Sequence, residues 1–254
     1  MTAPHSSTET ARCFSDDVRQ MFAALNKLDI ITSIESGYQD LIDRRSDFVA
    51  YGDPAKMFER DRALANLAVI RQVQIHRAER LIASSGTMVA ERNIYGLVLL
   101  IRGHYESTAI LGYLCDRVSS FQKGNIPFET VIFDIAHSMM GAKHEFFAEM
   151  PDPINIMTAI DKADRYIQKS GFIDAKGMLA DCYGWLSEFA HPNFNSSDAA
   201  LRLNSQRQGF EFRHGGELSD DEIQMLGYLD ISANVFTRVF DDLARLSDEV
   251  FGNG

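Results

Sequence analysis

The residues of this chain best suited to chemistry fall in one string, Y-G-W-L-S-E-F-A-H-P-N, which holds Tyr183, Ser187, Glu188, His191, Pro192 and Asn193. A residue that precedes proline is pushed out of the helical region, so a helix is predicted to end at His191. The helix macrodipole there favours a protonated imidazole, able to hold an anion or move a proton. Ser187 lies one helical turn earlier on the same face. Asn193, just past the proline, is placed to present its amide beside the ring. The same residues also suit a plainer role, a histidine that satisfies the last helical carbonyls ahead of a proline stop.

A second constellation is Arg102 and Glu106, in I-R-G-H-Y-E-S. Four residues apart, they share a helix face. Their surroundings are strongly apolar, and Gly103 removes a side chain beside them, so at least partial burial is predicted. An exposed pair of this kind contributes about 0.2–0.5 kcal/mol, whereas breaking a buried one costs about 3–5 kcal/mol. The alternative to a ligand site is a structural ion pair between helices.

A metal reading is weaker. Glu188 and His191 have the i, i+3 spacing of dimetal carboxylate bundles, Asp134 and His137 repeat it, and Glu106 could add a bridging carboxylate. A full set of ligands cannot be placed, and short matches arise by chance in a chain with 36 acids. His137 and His144 share a face without a partner to complete a site. His104 reads as an interhelical packing residue and His214 as a polar residue of a β-hairpin. There is no glycine-rich phosphate loop, no G-x-S-x-G and no H-E-x-x-H. No cofactor is implied.

The elements that must position these residues are helical. Residues 1–14 read as a flexible polar tail. Ser15 followed by Asp16 and Asp17 is a helix start, and apolar residues at helical spacing run from there to about 49. Asp53-Pro54 opens a long helix that Ser84-Ser85-Gly86 should close. Further helices are predicted from about Val89 to Phe121, from Pro127 past Phe146 to the stop at Pro151, from Ile154 to Lys169, and from Asp174 to Ala190. Leu201, Leu203, Phe210 and Phe212 then alternate around a polar turn, the mark of one small β-hairpin near 199–214. A last helix covers Ser219 to Val250. The expected fold is all-α, an antiparallel bundle of about six to eight helices in a single domain over 15–254.

Composition bounds the function. The 254 residues carry 36 acids against 25 bases, a net charge of −11, which opposes broad binding to nucleic acid or anionic membrane. The longest apolar run, Leu97 to Ile101, is far too short to span a bilayer. The three cysteines, Cys13, Cys115 and Cys182, are odd in number and far apart, so reduced thiols in a cytoplasmic protein are expected.

The string L-S-E-F-A-H-P-N over 186–193, ending a late helix in a bundle, resembles an uncharacterised branch of the HEPN-like (higher eukaryote and prokaryote nucleotide-binding) proteins. The upstream Arg102 and Glu106 look like that branch too, and the resemblance spans about 90–250. It implies a helical bundle, often dimeric, and for the wider superfamily RNA cleavage or roles in toxin–antitoxin and phage-defence systems. This sequence departs from the nucleolytic members, in which an arginine and a histidine separated by four to six residues converge on the phosphate. No arginine precedes His191 at that spacing. Arg71 and His76 fit it formally but lie about 140° apart around a helix. The expectation is a non-nucleolytic binding or regulatory protein, with Arg102, Glu106, Tyr183, Ser187, His191 and Asn193 lining a pocket for a nucleotide, phosphate or other anionic ligand. The alternatives are a ribonuclease that uses Arg102 with His191, in which case the partner is RNA, and the dimetal bundle.

The terminal helix has a wide apolar arc, with Leu226, Leu229, Val235, Phe236, Val239, Phe240, Leu243 and Leu246 flanked by Met225, Tyr228 and Ile231. One face packs onto its own bundle, which leaves a surplus. Either a second copy covers it in a symmetric homodimer, or the hairpin or N-terminal helix of the same chain does.

Overall fold

Nine α-helices and one β-hairpin make up the described part of the computed structural model, which comprises residues 11–53, 55–212 and 220–252. In chain order the helices are α1 (Asp16–Ala24), α2 (Leu28–Arg44), α3 (Glu59–Ala90), α4 (Ile94–Gln122) and α5 (Phe128–Met140). There follow α6 (Ile156–Lys169), α7 (Met178–Ala190), α8 (Phe194–Ala200), strands β1 (Leu201–Asn204) and β2 (Gly209–Phe212), and α9 (Asp220–Phe251). The expected all-α bundle with a small hairpin is the fold observed. Pro54, His214, Ser219 and the first ten residues lie outside the described part.

Local chemistry explains most boundaries. The Ser15 hydroxyl accepts from the Val18 amide at 3.3 Å and so caps α1, with Asp16 and Asp17 in its first turn. The stretch read as continuous to about 49 divides at Asn26, whose φ of +56° ends α1 before α2 begins.

Four expectations are corrected. The long helix begins at Glu59, because Asp53 closes only a local turn with Ala55 and Lys56. It also runs straight through Ser84-Ser85-Gly86 to Ala90. Ser85 stays helical by bonding back to the Leu81 carbonyl at 2.9 Å. Gly86 is a packing residue instead of a stop: a Cβ there would lie 1.9 Å from the Cys13 carbonyl oxygen, which crosses the helix at that point. The last described residues of the supposed tail are accordingly docked, with Phe14 buried and the Ala11 amide bonded to Gln39 at 2.8 Å. Finally, α5 stops at Met140, and Phe146 sits in a separate 3₁₀ turn at Glu145–Phe147.

The central element is α4, packed against α3, α6, α7 and α9. A three-residue turn ending in Asn93, whose side chain caps α4 through the Gly96 amide at 2.9 Å, returns it antiparallel to α3. It runs antiparallel to the course of α7 and the following α8, since Arg102 meets Tyr183 of α7 and Tyr95 meets Ser196 of α8. It runs parallel to α9, since His104 meets Ser232 and Cys115 meets Val239. Gly112 allows a close approach of α6, with a would-be Cβ only 2.6 Å from that of Ala163.

The wide apolar arc of α9 is covered within the chain. Met225, Leu229, Val235, Phe236, Val239 and Leu243 are all buried, against α2, α3 and α4. Of the two coverings expected, the one within the chain is observed: α2, from the N-terminal region, occupies the flank that a single-faced packing would have left open. No helix of the described residues is long and apolar enough to cross a membrane.

Candidate functional site

Two antiparallel helices bring Arg102 and Glu106 of α4 to Tyr183 of α7. Arg102 Nη2 donates to the Tyr183 hydroxyl at 2.7 Å, and that hydroxyl donates to Glu106 Oε1 at 3.2 Å. The guanidinium carbon also lies 4.8 Å from the centroid of the Tyr183 ring, within the range of a cation–π contact. The direct Arg102–Glu106 pair expected from their spacing is therefore replaced by a bridge through a phenol. Glu106 makes its ion pair with Arg77 of α3, at 3.2 Å through Oε2.

The electrostatic result is asymmetric. Glu106 is balanced by Arg77, whereas Arg102 has no carboxylate partner among the described residues. Arg102 Nε is buried without a hydrogen-bond partner. Burial raises the Tyr183 hydroxyl above the usual phenol range, an effect the bond from Arg102 partly offsets, so the phenol stays protonated and keeps donating to Glu106. A half-buried, unneutralised guanidinium beside a protonated phenol is an arrangement suited to accepting an anion.

The other residues of the α7 string are placed differently. Ser187 bonds back to the Tyr183 carbonyl at 2.8 Å, within its own helix. Asn193 accepts from the Ser196 amide at 3.2 Å and so caps α8, while its Nδ2 donates to Glu188 at 2.8 Å. His191 is the exposed C-cap of α7. It lines a cleft of about 500 Å³ with Tyr95, Phe189, Pro192, Leu201 and Phe212. Eight residues, about 12 Å of helical rise, separate Tyr183 from His191. Arg102, Glu106 and Tyr183 are thus brought together, Ser187 lies one turn further along α7, and His191 and Asn193 form a helix-to-helix corner about two turns away.

The capping signal for that corner was present in the sequence, as Asn193 after a proline with Ser196 three residues on. The residues of the metal reading do not converge. Asp134 is buried and holds the Tyr113 hydroxyl at 2.6 Å and the Arg117 guanidinium. The His137 ring packs on Phe133. Among the described residues no three His, Cys, Asp or Glu side chains are grouped as metal ligands. Arg71 stacks on Phe240 and bonds its carbonyl at 3.1 Å, whereas His76 on the same helix is exposed, so the two point apart.

His104 lies one residue beyond Gly103 and faces the core. Its Nδ1 is 2.8 Å from the Ser232 hydroxyl, which is 3.2 Å from that of Thr108. Its Nε2 is buried without a partner. Burial, with a smaller contribution from Arg77, pushes its pKa down to about 3, so it is neutral in the folded protein. Compared with family models, curated proteins and solved structures, the chain matches none.

Proposed function

We propose that this chain is a HEPN-like binding or regulatory protein, without nuclease activity, that holds a phosphate-bearing or other small anionic ligand at Arg102. The observation that carries the reading is the charge imbalance between helices α4 and α7. Among the described residues Arg102 has only a neutral phenol for a partner, while the nearby carboxylate is already balanced by Arg77. The hydroxyl and ring of Tyr183 hold the guanidinium in place, so little side-chain entropy remains to be lost when a ligand binds. The resemblance through Leu186 to Asn193 and through Arg102 and Glu106 points the same way.

No observation favours the ribonuclease alternative. A general acid or base has to reach the reacting group directly or through one water, and His191 lies at the far end of α7 from the Arg102 pair. Pairing of two copies through α9 is not part of the proposal, because that face is already covered.

The test is thermal unfolding with inorganic phosphate and with adenosine monophosphate. A ligand present at about 100 times its Kd adds roughly 2.7 kcal/mol to the folded state. The wild-type protein should be stabilised by at least one of the two, and the Arg102→Gln variant by neither. Equal stabilisation of both proteins would refute the assignment.

A further inference from the structure

The segment from α5 to the start of α6 presents an apolar surface that the fold does not use. Phe133, Met139 and Met140 of α5 are exposed, as are Phe146, Phe147 and Met150 of the following loop, Phe146 to 82%. The loop is closed at its base, where the Ala142 amide donates to the Pro151 carbonyl at 2.9 Å and Gly141 abuts Pro153. Between these points every residue from Lys143 to Met150 is exposed. It is an Ω-loop that turns two phenylalanines and a methionine outward. At about 200 Å² for each fully exposed large side chain, the six residues offer roughly 600 Å². That sum is most of the ~800 Å² one partner brings to a standard interface.

Charge selects the occupant. The same stretch of chain, 128–153, carries the exposed acids Glu129, Glu145, Glu149 and Asp152 against one lysine, Lys143, and none of these five is in an ion pair among the described residues. A second copy, itself acidic, would meet like charge here, and an anionic lipid surface would be repelled. We infer that this loop and the adjoining face of α5 are the docking surface for a basic amphipathic helix of another protein. Such a helix lays its apolar stripe on the phenylalanines and the adaptable methionines, and its Lys or Arg residues reach these acids.

The experiment uses the full chain and fluorescein-labelled helical peptides about five turns long, one of Leu and Lys and one of Leu and Glu, read by fluorescence anisotropy. The Leu/Lys peptide should bind, and the Leu/Glu peptide should bind at least about thirtyfold more weakly. A Phe146→Ser, Phe147→Ser, Met150→Ser triple variant should lose about tenfold or more, and Glu145→Gln with Glu149→Gln about three- to tenfold. These residues are exposed, so the fold should survive, as circular dichroism will show. Leu203→Ser with Phe210→Ser, on the hairpin, should leave binding unchanged. Any of four results would overturn the inference: no binding of the Leu/Lys peptide; equal binding by the triple variant, which would mean attraction to overall acidity alone; a wild-type dimer in light scattering that the triple variant dissolves; or loop-dependent binding to phosphatidylcholine vesicles.

Discussion

The hydroxyl of Tyr183 accepts from Arg102 Nη2 at 2.7 Å and donates to Glu106 at 3.2 Å, so the two charged residues of α4 are linked through a neutral one on α7. This bridge ties the helices together and also leaves Arg102 unneutralised. Changing it should have two separable effects.

Tyr183→Phe keeps the ring under the guanidinium and removes both hydrogen bonds. Bonds to charged groups contribute about 1.5–3 kcal/mol, and partial exposure lowers that, so a loss of about 1–2 kcal/mol is expected in urea unfolding. Anion affinity at Arg102 should fall no more than severalfold, since the charge remains. A variant as stable as wild type would mean that the bridge is not formed in solution.

His191→Ala should leave anion affinity within about twofold of wild type, because about 12 Å of helix lies between this residue and Tyr183. Titration calorimetry with phosphate reads this directly. A tenfold loss would return His191 to the same pocket as Arg102.

The buried His104 gives the protein a pH dependence with a definite sign. Its folded pKa of about 3 lies below the ordinary 6.5, so the unfolded chain binds the proton more readily. The stabilising effect of keeping this ring neutral is complete above pH 6.5 and is lost as pH falls from 6.5 toward 3. At pH 5 the loss is about 2 kcal/mol. Unfolding free energies of wild type and His104→Leu, compared at pH 7.5 and pH 5, should show a smaller decline in the variant. Parallel declines would mean that His104 is not buried as described.

Two glycines on helices separate packing from propensity. Gly86→Ala puts a methyl group against the Cys13 carbonyl, a backbone atom that cannot swing aside, and should cost about 2 kcal/mol or more. Gly184→Ala meets nothing within 4 Å and should stabilise α7 by about 0.5–1 kcal/mol. Thermal melts of both variants decide the matter, and a neutral Gly86→Ala would mean that the N-terminal segment does not cross α3.

Much of the fold was legible because helical periodicity and capping residues are local signals. Ser15, Pro127, Gly171 and the His191-Pro192 stop each sit at or beside an observed boundary. What misled was non-local. Gly86 resembles a helix stop until the crossing Cys13 carbonyl is known, and the α9 arc looks too wide until α2 is seen on its flank. Arg102 and Glu106 could be paired by spacing, but spacing says nothing of Arg77 or Tyr183, which arrive from α3 and α7 and divide the pair. The string over 183–193 looked like a site because the residues of a capped corner are those of a polar pocket: Asn, Ser, His and Glu.

The most direct measurement follows the Arg102 guanidinium itself. In ¹⁵N-labelled protein the side-chain Nε–H resonance of Arg102, assigned through its absence in Arg102→Lys, is titrated with inorganic phosphate while exposed arginines such as Arg165 serve as internal references. A saturable shift confined to Arg102 and its neighbours, abolished in Arg102→Gln, is the result this account requires. A shift no larger than that of Arg165, growing linearly with phosphate and without saturation, would contradict it.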